Sequence, residues 1–162
     1  LASPIAQSVF ETGVVNTDDP QYGMHDPMEK LTVDKLIQNG EAISLGNKEI
    51  VAQFTPGHSP GAISWRWDEC QDNECYTLVF TDGMGPVSAD NYRWTDHPEY
   101  LSDFRASMAW LEGVEADICL SAHPSQMRLI ERIETGSLVD SGECGRAAAL
   151  LQKRLEDIIQ EE

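Results

Sequence analysis

The sequence predicts an α/β fold, a mostly antiparallel sheet with helices on one face, and three observations carry that prediction. Short β-type runs separated by turn residues fill positions 37 to 81. Two helical stripes follow, one after Pro98 and one after Ser141. Between them Asp117 to Ala122 forms a brief apolar strand. The helices that follow the meander lie on one side of it, so the other face of the sheet has no partner within the chain.

Ser3-Pro4 followed by Ile5, Val9 and Phe10 predicts a short helix, which Gly13 ends. Residues 16 to 27 are rich in Asp, Pro and Gly and read as a connecting loop, so residues 1 to 35 form an irregular N-terminal segment of a single domain spanning 1–162. Asn39-Gly40 lies between apolar alternations from Ile37 to Leu45, a short-range hairpin signal. Strands are expected at 49–55, 61–67 and 75–81. Leu101, Phe104, Met108 and Leu111 recur at helical spacing from Pro98 to Gly113. Ser125 to Ile133 reads as helix up to Gly136, and His97 reads as the cap of the helix at Pro98. The last helix, about 142 to 160, takes Ser141 as its N-cap and Ala148, Leu151, Leu155 and Ile158 as its stripe. Trp65, Trp67, Trp94 and Trp110 read as core or sheet-face packing.

With 162 residues and 41% hydrophobic content the chain has enough material for one core. A net charge of −17 repels phosphate surfaces, which argues against nucleic acid and anionic membranes as partners. No apolar run approaches the length of a membrane-spanning helix, and no signal peptide precedes Leu1, so the start reads as a cut end.

Cys70 and Cys75 flank the polar turn Gln71-Asp72-Asn73-Glu74 between two β runs, where facing residues approach disulfide distance. A Cys-x4-Cys zinc site is the alternative, but its second pair is absent and a structural zinc needs four ligands. The disulfide is therefore the expectation, and it favours an oxidising compartment.

In Phe54-Thr55-Pro56-Gly57-His58-Ser59-Pro60-Gly61, two prolines and two glycines frame one histidine at a strand end, a device for aiming an imidazole into a cleft. Two later segments join it: Thr81 to Trp94, beginning Thr81-Asp82-Gly83-Met84-Gly85-Pro86, and Leu120-Ser121-Ala122-His123-Pro124. In order and interval these three segments resemble the C-terminal half of a metallo-β-lactamase of the third subclass, from about Leu36 to the end and weakly upstream. The resemblance implies half of a four-layer αββα sandwich, whose second sheet would come from an N-terminal half.

It also implies zinc as cofactor, with His58 corresponding to a ligand of the first metal and His123 to a ligand of the second. The HxHxDH loop that supplies the remaining ligands is missing. The nearest frame, Tyr92-Arg93-Trp94-Thr95-Asp96-His97, puts a phenol and an indole in the two leading positions, and neither replaces imidazole on zinc. His25 lies in a loop without further signal.

Asp82 matches a position that is not a direct ligand in this subclass, and the next residue, usually Ser, is Gly83. Ser88, Tyr92 and Arg93 match the family motif and read equally as loop packing. Some members join residues near Cys119 and Cys144, but the usual first position is Ala116 here, so that pairing stays open.

The resemblance implies a zinc-dependent hydrolase of β-lactam amides, linked to antibiotic resistance, and a periplasmic or secreted location. With one histidine per metal the isolated chain is expected to be inactive, and catalytic and substrate-binding residues are not assigned. Its expected partners are a complementary N-terminal half or another copy of itself, with a small-molecule substrate in the intact enzyme. Two alternatives stand beside this reading: a truncated, non-catalytic module that forms a homodimer through its open sheet face, and a zinc hydrolase acting on another ester, lactone or thioester.

Overall fold

A computed structural model describes all residues, 1–162. Helix α1, Pro4–Thr12, opens the chain: the Ser3 hydroxyl caps it by accepting from Ala6 N, and Gly13 closes it at φ 76°. The N-terminal segment also contributes an isolated parallel bridge, Ala2 to Leu36, beside which Ile37 is fully buried.

Five strands form one sheet in the order β1-β2-β3-β4-β5: β1 Ala42–Leu45, β2 Lys48–Phe54, β3 Ile63–Gln71, β4 Glu74–Thr81 and β5 Ile118–Ser121. The first four run antiparallel, and β5 pairs parallel to β4 after crossing over through helix α2, Pro98–Gly113. A short 3-10 turn, Trp94–Asp96, precedes α2; another, Pro124–Met127, leads into α3, Leu129–Glu134. Helix α4, Glu143–Glu161, ends the fold.

Three local expectations are corrected. Asn39-Gly40 is not the hairpin turn: β1 pairs with β2 through Leu45 and Lys48, so the two-residue loop is Gly46-Asn47, with Gly46 at φ 64°. Asn39-Gly40 is used to close the sheet edge, Gly40 N donating to Ala52 O and the Asn39 side chain accepting from Phe54 N. The helix expected over 125–133 is interrupted, because Arg128 takes a left-handed conformation at φ 45° between the 3-10 turn and α3. Ser141 does not cap α4; Gly142 holds that position, and the Asp140 carboxylate accepts from Gly142 N instead.

The core lies on one side of the sheet. Val79 and Cys119 point there and meet Phe104, Met108 and Leu111 of α2 and Ala147, Leu151 and Leu155 of α4, with Trp94 completing the cluster. Each such aliphatic or aromatic side chain contributes roughly 1.5–3 kcal/mol when fully buried. A disulfide between Cys119 and Cys144 ties β5 to α4 within this core, and a second joins Cys70 to Cys75 across the β3–β4 hairpin.

The opposite face is also apolar. Register places Ala52, Trp65, Phe80 and Leu120 in one row across β2 to β5, with Trp67, Leu78 and Ile118 in the next. None of these belongs to the core cluster or packs against it, and of them only Ala52 is fully buried. No helix is long and apolar enough to cross a membrane.

Candidate functional site

His58 sits in the turn that leaves β2, and three side chains hold that turn by its carbonyls. Ser107 Oγ donates to Pro56 O at 2.7 Å, Tyr100 Oη to Gly57 O at 2.8 Å, and Gln21 Nε2 to His58 O at 2.7 Å. Three successive peptide oxygens are thereby satisfied from α2 and the N-terminal loop, which leaves the turn little freedom. Burial pushes the Tyr100 phenol far above its ordinary range, so it stays a neutral donor. At the strand end the buried hydroxyls of Thr55 and Ser64 bond at 2.7 Å. Helix α1 abuts the far end of the turn: Ser3 Oγ donates to Gly61 O, and a Cβ on Gly61 would lie 2.8 Å from Ala6.

His123 follows β5 and is exposed. Its backbone N donates to Ser121 Oγ at 3.1 Å, and its carbonyl accepts from Gln126 N at 2.9 Å. Between the two histidines runs the segment after β4. Asp82 Oδ1 accepts from Gly83 N at 2.7 Å, turning the carboxylate onto its own backbone.

The fold brings His58 and His123 together. Their ring centroids are 5.2 Å apart at an interplanar angle of 71°. Gly83 forms the floor beneath both rings: an added Cβ would lie 2.8 Å from His123 Nε2 and 3.0 Å from His58 Cδ2. His58 Nδ1 stands 3.4 Å from Gly85 O, a long contact that favours a proton on Nδ1.

The other histidines are elsewhere. His97 makes no side-chain cap at α2, contrary to expectation; its ring stacks on Tyr92 at 4.3 Å. His25 is exposed and touches Gln21 Oε1 at 3.4 Å. Asp19 lies close enough to His58 to interact electrostatically, but burial raises its carboxyl above the ordinary value, and it accepts from Gln21 N. Tyr92, Trp94 and Trp110 pack on or in the core, and burial together with Asp19, Asp18 and Glu162 pushes the Tyr92 phenol to about 12. Ser88 is half-buried, and Arg93 faces Asp96 at the surface.

No group of three or more His, Cys, Asp or Glu side chains stands where it could hold a metal ion. Catalytic zinc takes three protein ligands and structural zinc four. Two imidazoles fall short of either, so the residues present in this chain do not by themselves fit the zinc that the sequence resemblance implies.

Local patterns did not disclose Gln21, Tyr100, Ser107 or Gln126. Ser107 left one trace, a polar residue on the buried face of α2 between Phe104 and Leu111. The others act across sequence separations that pattern reading does not span.

No family model matches the chain. Solved structures do. It aligns with the SMB-1 metallo-β-lactamase bound to 2-mercaptoethanesulfonate at a TM-score of 0.93 and 33% identity, covering 99% of this chain and 64% of that one. It aligns with the MIM-2 metallo-β-lactamase at 0.92 and 39% identity, covering 99% and 59%. MEM-A1, a subclass B3 metallo-β-lactamase from a soil metagenome library, matches at 0.92 and 28% identity over 99% and 64%. The chain thus spans 59–64% of the length of these relatives. Likeness in fold and sequence along nearly its whole length, with two histidines meeting over Gly83, matches this chain to part of the subclass B3 metallo-β-lactamase fold.

Proposed function

We propose that this chain is the C-terminal share of a zinc-dependent hydrolase acting on β-lactam amides, contributing His58 to one metal and His123 to the other. The observation that carries the reading is the pair of imidazoles, delivered by two different strand ends to 5.2 Å over Gly83 with no third donor beside them. The missing ligands come from a complementary segment whose own sheet covers the apolar row of Trp65, Phe80 and Leu120. Beyond delivering and holding the two imidazoles, the chain supplies no complete reaction centre and is inactive alone. Two disulfides in a chain of this size support an exported location, periplasmic or secreted.

Zinc stoichiometry and turnover of a chromogenic cephalosporin test this, measured on the chain alone and after refolding with the N-terminal segment of a subclass B3 enzyme. The expected result is no turnover alone and zinc-dependent turnover in the mixture. Zinc-dependent hydrolysis by the chain alone would overturn the shared-site reading.

The open face supports a second reading, a non-catalytic homodimer in which two copies bury the same apolar rows. Sedimentation decides between the two: a dimer that persists in the presence of the N-terminal segment favours the second. The glycine at 83 favours a third, hydrolysis of an ester, lactone or thioester in place of a β-lactam, which parallel assays of those substrates with the same mixture would detect.

A further inference from the structure

We propose that Gln126 is a positioning residue that sets the spacing of the His58 and His123 imidazoles. The inference rests on the reading of those two rings as one functional pair.

The segment Gly83-Met84-Gly85 passes between the rings, and each of its residues meets a different constraint. Gly83 lies beneath both imidazoles with no room for a Cβ, so any shift of this backbone moves into the rings. Gly85 O faces His58 Nδ1 at 3.4 Å. Met84, buried between them, donates its backbone N to Gln126 Oε1 at 3.3 Å. The same Oε1 accepts from Ser121 Oγ at 3.1 Å, and Ser121 Oγ accepts in turn from His123 N. The backbone N of Gln126 donates to His123 O. One residue therefore grips the His123 peptide at its carbonyl, holds its N–H through Ser121, and pins the spacer on which both rings rest.

Glycine at 85 is part of the same arrangement, since a Cβ there would come within 3.2 Å of Gln126 Nε2. The amide oxygen does its work as an acceptor of two donors, Met84 N–H and Ser121 O–H. A carboxylate keeps both bonds, and a leucine of similar size keeps neither.

The test is made on the folded chain without added ligand. The nuclear Overhauser contact between the His58 and His123 rings is measured together with their ring proton shifts, and thermal melting serves as the control for folding. The wild-type chain is expected to give a ring-to-ring cross-peak. Gln126→Leu is expected to lose it and to shift both sets of ring resonances, and Gln126→Glu to retain it. Ser121→Ala, which removes one of the two donors, is expected to weaken the cross-peak and provides the reading should Gln126→Leu fail to fold.

A cross-peak and shifts unchanged in Gln126→Leu, or in Ser121→Ala where the leucine variant does not fold, overturn the proposal; loss in Gln126→Glu as well overturns the acceptor argument. The functional reading fails separately. If the cross-peak responds as expected while the chain refolded with an N-terminal segment hydrolyses nothing, Gln126 still positions the pair and the assigned activity is wrong.

Discussion

On the helix-bearing side of the sheet Val79 is fully buried, whereas Phe80, the next residue of the same strand, keeps 38% of its surface exposed on the other side. The two faces share strands, register and ladder hydrogen bonds, and both are apolar. They differ in what lies against them: α2, α4 and the Cys119–Cys144 disulfide lie on one, and no member of that core cluster lies on the other. The buried core of the chain is therefore concentrated on one side of the sheet.

The largest expected contrast comes from truncating matching aromatic residues. Phe104→Ala empties a packed site in the closed face and should cost about 3–5 kcal/mol in urea unfolding. A smaller value would mean that the closed face is less well packed than its burial implies.

The two disulfides sharpen the comparison next. Cys119–Cys144 closes a separation of 25 residues inside the core, and Cys70–Cys75 one of 5 at an exposed hairpin tip. Chain entropy predicts that replacing the first pair with serines costs about 3.5 kcal/mol and the second about 2 kcal/mol. Denaturant midpoints of the two double variants check the order.

Acid separates the faces in another way. Glu143, buried at the foot of α4, is hydrogen-bonded by Arg128 and Arg146. Burial acts to raise its carboxyl, but the two guanidinium groups outweigh it and hold the group below its ordinary 4.5. A depressed folded value means that the contribution to stability is present above pH 4.5 and is lost as the pH falls through the folded pKa. Glu143→Gln should lower the melting temperature near neutrality and flatten its decline in acid. An unchanged acid slope would remove Glu143 from the closed face's account.

Ser107→Ala leaves the carbonyl of Pro56 without that donor and should cost about 1 kcal/mol, read by the same unfolding curves. Last, Phe80→Ser on the open face should move the unfolding midpoint by no more than about 0.5 kcal/mol in the isolated chain. It should at the same time weaken association with a complementary segment, measured by titration calorimetry. A large stability loss there would show that the open face is already packed.

Much of the architecture could be read from residue order. The apolar alternation from 49 to 81, the stripe Phe104, Met108, Leu111 and the stripe Ala148, Leu151, Leu155 are local signals, and they led to one sheet with helices on a single face. The structure departs from local pattern where another interaction takes precedence. Asn39-Gly40 is a good hairpin turn, but so is Gly46-Asn47, and pairing of Ile43 with Ile50 decided for the second. At Arg128 the helical pattern breaks in a left-handed turn, and just beyond it the buried Arg132 donates to the carbonyls of Cys119 and Met127.

By itself, then, the sequence determined the class of fold, the apolar character of both sheet faces and the two strand ends that carry His58 and His123. These follow from periodicity and turn chemistry, which act over a few residues. Tertiary structure alone decided that those imidazoles meet at 5.2 Å, that Gly83 is their floor and that Ser107, Tyr100, Gln21 and Gln126 hold them. Hydrogen bonds reaching across 37 to 51 residues leave no periodic trace, because their geometry exists only once the sheet and α2 have packed.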